Sequence, residues 1–160
     1  MQKEFNIQKI ISSDLKRAKQ TAEIINGELK LPIEYTEKLR EMNNGKIAGM
    51  LNEEVEKLYP GLYYNTLAID EKYPGGESPL DFYKRIKNSF YEIINENTKL
   101  DNILLVTHSG VINIIYHIIK NIEWTNKKKG FPSGNTSIHR IVINDSEKYI
   151  DIENLKEHFK

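Results

Sequence analysis

Cysteine is absent from the 160 residues, so this chain builds no disulfide, no thiol nucleophile and no thiolate metal site. A charge excess is missing too. The 23 basic residues balance 23 acidic ones, which argues against the broad electrostatic footprint of a nucleic-acid binder. No apolar run approaches the roughly 18 residues that span a bilayer, and residues 1–15 lack the apolar centre of a signal peptide. Arginine is scarce: only Arg17, Arg40, Arg85 and Arg140 stand among the 23 basic residues. Against so many lysines an arginine points to a place where a planar, two-pronged donor matters, although any one of them is also compatible with plain solvation. These absences lead us to expect a soluble, cytoplasmic chain without nucleic-acid or membrane partners. Its length suits a single domain over residues 1–160.

What is present follows a strand-turn-helix grammar. Residues 6–11 are short, Ile-rich and strand-like, and Ser12, Ser13 and Asp14 follow as N-cap residues. Leu15, Ala18, Ala22, Ile25 and Leu29 then recur at helical spacing. The grammar repeats at residues 102–107, a nearly continuous apolar strand, followed by His108, Ser109, Gly110 and an apolar helix over 111–119. Between them Ser78, Pro79 and Asp81 open a helix whose inner face is Phe82, Ile86, Phe90, Ile93 and Ile94. Two further strands are expected over 137–143 and 148–152, with a turn at Asn144, Asp145 and Ser146. Alternating strands and helices predict a layered α/β fold with a mainly parallel sheet. Residues 41–77, rich in glycine, proline and tyrosine, form a long connection of the kind that serves as a lid or binding wall, with one short helix over 52–58.

In parallel α/β sheets ligands bind beyond the carboxyl ends of the strands. Both strand-turn-helix units place polar residues there: Ser12, Ser13 and Arg17 in one, His108, Ser109 and Gly110 in the other. Each following helix aims unpaired N–H groups and a partial positive charge at the same rim. That suits an oxyanion or a phosphate. Singly, each signal has a plain alternative, since a strand-end histidine is often structural and a first-turn arginine often solvated.

Taken in order, four blocks resemble the histidine phosphatase superfamily, the phosphoglycerate-mutase-like proteins. They are residues 11–22 with Arg17, residues 39–49 with Glu41, residues 75–85 from Gly75 through Glu77 and Ser78 to Arg85, and residues 106–110 with His108. The resemblance implies helices on both faces of the sheet. It implies that Arg17 grips the phosphoryl group and that His108 contacts it in the transition state. Glu41 would protonate the leaving oxygen and then activate water, and the backbone at Ser109 and Gly110 would add donors. It implies no metal and no cofactor.

The family's Arg-His-Gly segment, which carries the attacking histidine, should lie before Ser12 and does not. His117, His139 and His158 fall elsewhere in the pattern. We therefore expect the fold to lack its first interior strand, and the chain to be weak or inactive as a phosphomonoesterase. Three readings stay open: a truncated enzyme, a natural non-catalytic phosphate-binding or interaction module, or a homodimer in which another copy closes the sheet. The small bacterial α-ribazole phosphatases are the nearest in look, with phosphoglycerate mutase as a third function. The expected partner is a small phosphorylated metabolite or phosphate ion. Tyr59, Tyr63, Tyr64 and Tyr73 stack on a substrate ring or simply cover the core. Lys127, Lys128 and Lys129 read as a solvated loop beside the pocket.

Overall fold

Ile10 and Ile11 point to opposite faces of one strand, and each enters its own core. In the computed structural model, which describes residues 5–157, that strand is β1 (Lys9–Ser13). Ile10 packs with Ala18, Ala22, Leu29 and Val106 beneath helix α1 (Lys16–Leu29). Ile11 joins the larger core on the other face. That core holds Phe82, Ile86 and Phe90 of α3 (Pro79–Glu96), and Val111, Ile114, Ile115, Ile118 and Ile119 of α4 (Ser109–Lys120). Helices therefore cover both faces, as expected for a strand buried on two sides.

β1 is the centre of a three-stranded parallel sheet. It lies between β2 (Ile33–Thr36) and β3 (Ile103–Val106), with Ile11 opposite Glu34 and Leu105. β4 (Ile138–Ile143) and β5 (Lys148–Leu155) form a separate antiparallel hairpin. Its turn is tied by Asn144, whose Oδ1 accepts from the amides of Ser146 and Glu147. Ile141 and Ile150 of the hairpin pack on the same large core as Ile103 and Leu105 of β3. Among the described residues, no strand pairs with the outer edge of β3.

Helix α3 starts as its sequence dictates: Pro79 fills the first turn and the Ser78 hydroxyl accepts from Asp81 N at 3.0 Å. The short helix α2 runs over Asn52–Leu58. Helix α1 departs from expectation. Ser12 and Ser13 end β1, fully buried, and the N-cap position falls to Leu15 without a side-chain cap. The strand continues to Ser13 because its backbone pairs with Thr36 of β2, which moves the hydroxyls off the helix and onto the sheet rim. No helix of the described residues is long and apolar enough to cross a membrane.

Candidate active site

β1 and β3 are parallel, so both end on the same rim, where Ser13 and His108 meet. His108 is buried at the N-cap of α4. Arg17, in the first turn of α1, donates from Nε to His108 Nδ1 at 3.2 Å. A guanidinium N–H can only donate, so Nδ1 is the acceptor. The ring proton is thereby assigned to Nε2, which lies 2.9 Å from the Ser13 hydroxyl. Burial, followed by the positive charges of Arg17 and Arg85, pushes His108 down to about 4. It is therefore neutral near pH 7. Both terminal nitrogens of Arg17 are without hydrogen bonds among the described residues, which leaves the two-pronged end of its guanidinium open.

Glu41 reaches the same helix start from the opposite side. Its Oε2 accepts from Gly110 N at 3.0 Å and its Oε1 from Met42 N at 3.1 Å. A side chain at position 110 would collide with Oε1, so glycine is what admits the carboxylate to the first turn of α4. The Gly110 amide, expected to face a phosphate, is thus engaged by Glu41, and Ser109 is exposed at the mouth of the rim. Arg17, His108, Glu41 and Gly110 converge through these contacts.

The Glu41 segment is held from several directions. Thr107 Oγ1 donates to Leu39 O at 2.9 Å, and Arg40 makes a two-pronged bond to Asp14 through Nε (2.6 Å) and Nη2 (2.5 Å). Lys46 N donates to Pro74 O, and Glu77 N to Asn43 O, which zips residues 43–46 to residues 74–77. At their closest approach, a side chain on Gly76 would run into the backbone of Asn43 and Gly45.

The tyrosines divide. Tyr73 is in the core, Tyr63 is exposed and donates to Glu56, and Tyr59 is half-buried. Tyr64 is near enough to the rim that burial, followed by the charge of Glu41, lifts its hydroxyl to about 12. Lys127 is not simply solvated. Its Nζ donates to the carbonyls of Asn65 and Leu67, while Asn126 binds those of Tyr64 and Leu67, and together they fasten the tyrosine loop. His117 bonds back to Asn113 O within α4, and His139 bonds Tyr116 and Ser137 in the hairpin. His158 lies outside the described residues. The sequence pattern puts Ser13 at the rim but shows neither its bond to His108 nor the bond of Thr107 to Leu39. Their partners are 95 and 68 residues away, and no local spacing reveals them.

The sequence pattern of the histidine phosphatase superfamily (branch 1) matches residues 1–156. Phosphoglycerate mutase-like protein 4 of Arabidopsis thaliana is 31% identical over 98% of this chain and 70% of its own length. The uncharacterized phosphatase PhoE of Bacillus subtilis is 34% identical over 71% of this chain, and the match spans about half (53%) of its length. Among solved structures, the α-ribazole phosphatase of Shigella flexneri superposes with a TM-score of 0.78 at 20% identity, covering 92% of this chain and 73% of that one. A mycobacterial glucosyl-3-phosphoglycerate phosphatase, solved with inorganic phosphate, gives 0.75 at 24% identity, covering 93% and 77%. At such identities these likenesses speak for the fold.

Proposed function

Because the chain belongs to the histidine phosphatase superfamily, we propose that residues 1–160 form a phosphomonoester hydrolase domain whose rim takes the phosphoryl group of a small metabolite. The observation that carries this reading is the contact between Arg17 Nε and His108 Nδ1. It holds a buried neutral imidazole beside an open guanidinium end, at the start of a helix. The fork of Arg17 binds two phosphoryl oxygens, and the helix terminus adds its partial positive charge. In the family's route Glu41, on the far side, would give a proton to the leaving ester oxygen as the phosphoryl group passes from that oxygen to an attacking imidazole. It would then take a proton from the water that displaces the imidazole and releases phosphate.

His108 is a binder in this scheme and not the nucleophile, because both of its ring nitrogens are engaged, by Arg17 and by Ser13. The family's phosphohistidine route needs a second imidazole at the rim. Among the described residues, His117 and His139 point to other partners. That observation favours weak or no turnover by this polypeptide. It also supports the second reading, a non-catalytic phosphate-binding module on the same fold. Phosphoglycerate mutase activity ranks behind both. A cytoplasmic setting goes with the metabolite substrates, and a second copy closing the sheet between β3 and β4 belongs to the same reading.

Titration with inorganic phosphate, followed by 31P NMR, tests the site. Binding by the natural sequence, lost in Arg17→Ala, is the expected outcome; equal behaviour of the two proteins would sink the proposal. Turnover of p-nitrophenyl phosphate that disappears in His108→Ala would separate the enzyme from the binding module.

A further inference from the structure

Arg85 lies on α3, away from the rim, yet its guanidinium bridges Glu77 and the segment that carries Glu41. Nε and Nη2 form a two-pronged pair with Glu77, at 2.7 Å to Oε1 and 2.8 Å to Oε2. Nη1 donates to Lys38 O at 2.9 Å and to Arg40 O at 3.0 Å, and Nη2 also reaches Glu41 O at 3.5 Å. Three carbonyls that bracket Glu41 are thus gathered on one planar cation. Glu77 completes the grip from the other side. Its Oε2 accepts from Asn43 N at 2.9 Å, and its own amide donates to Asn43 O at 2.9 Å.

We propose that Arg85 and Glu77 act as positioning residues that fix the backbone on both sides of Glu41 and thereby seat its carboxylate on the Gly110 amide. This rests on Glu41 being the acid of the proposed hydrolase. Lysine cannot replace the arginine here, because a single ammonium cannot span a carboxylate and three carbonyls at once. The pair is mostly buried, with side chains 24% and 20% exposed, so its geometry is not diluted by solvent. Burial works to raise the Glu77 carboxyl, and the hydrogen bonds from Arg85 and Asn43 outweigh it, so Glu77 is ionised at neutral pH. The positive charge of Arg85 also reaches His108, which places the clamp within electrostatic range of the rim it serves.

Gly110 provides the readout, since it bonds Glu41 and shares no hydrogen bond with Arg85 itself. In the full chain, the 1H–15N signal of the Gly110 amide is compared with its position in Glu41→Gln. Arg85→Lys and Glu77→Gln are each expected to move that signal more than halfway toward the Glu41→Gln position, with the remaining α4 amides in place. Arg140→Ala, which breaks an exposed ion pair with Asp151 across the hairpin, is expected to leave it unmoved. A Gly110 signal at its natural position in folded Arg85→Lys and Glu77→Gln would overturn the proposal. Failure of both variants to fold would also overturn it, by assigning the pair to the fold as a whole. Inorganic phosphate added to the natural sequence reports separately on Arg17 and His108. Its failure to bind would count against the hydrolase reading and leave the Gly110 result to stand on its own.

Discussion

The Glu41 wall and the β4–β5 hairpin both rest on the larger core, but they are attached in different ways. The wall is caught by the side chain of Thr107 just after β3, by Arg85 of α3, and by the backbone and the Glu77 side chain of the 74–77 segment. The hairpin meets α4 through Tyr116, whose hydroxyl lies 2.6 Å from His139 Nδ1, and through the exposed pair Lys120–Glu153. Its edge makes no ladder with β3. Bonds from several elements thus over-determine the wall that carries the acid, whereas the hairpin is held to α4 by side chains that can let go.

Acid probes the rim and the hairpin separately, because the buried His108 at the rim and the half-buried His139 in the hairpin are both held below the ordinary value. For His108 the folded group sits at about 4 against an unfolded 6.5. The unfolded chain therefore takes up the proton first as pH falls from about 6.5 to about 4, and stability is lost across that window. The loss is about 3 kcal/mol for this one group. Urea midpoints measured at pH 7 and pH 4 should converge in His108→Gln by more than in His139→Gln. Equal convergence would erase the distinction between the two regions.

Gly76→Ala attacks the wall where it is tightest. The added methyl faces backbone on two sides, and neither strand of the zipper can retreat without giving up its bonds. A cost of about 2 kcal/mol is expected in equilibrium unfolding. An unchanged midpoint would show the wall to be looser than its bonds suggest. Tyr116→Phe strikes the hairpin instead, at about 1 kcal/mol. Hydrogen exchange should then quicken in β4 and β5 and stay constant at Met42 and Asn43. The smallest effect belongs to Arg140 and Asp151, an exposed pair across the hairpin at 3.1 Å. A double-mutant cycle should return about 0.5 kcal/mol or less; a larger coupling would mean that the hairpin is held by its surface.

Much of this was readable where the deciding interaction is local. Ser78 and Pro79 announce α3, and Asn144 announces the hairpin turn, because cap and turn partners lie within three residues. Ser12 and Ser13 misled, since a serine before a helical pattern looks like a cap while β-pairing to Thr36 carries the strand through it. β2 had no signal, being four residues of which two are polar. Arg17, Glu41 and His108 could be picked out as candidates by motif, and the structure brings them to one rim. The Arg85–Glu77 pair was visible only as two residues of a block, and the 44 to 47 residues separating Arg85 from the carbonyls it binds hid its role. Lys127 shows the same limit, because only the folded loop supplies the carbonyls it meets.

The alternation of Ile10 and Ile11 has one more consequence. Arg17 meets His108 only when β1 and β3 lie in the register that pairs Ile11 with Leu105. A slip of one residue would send each isoleucine into the other's core and turn Ser12 and Ser13 the wrong way. The two cores thus work as a gauge that checks alignment before chemistry is possible. Any chain that has assembled its rim wrongly has also mispacked both cores, and is less stable by that fault alone.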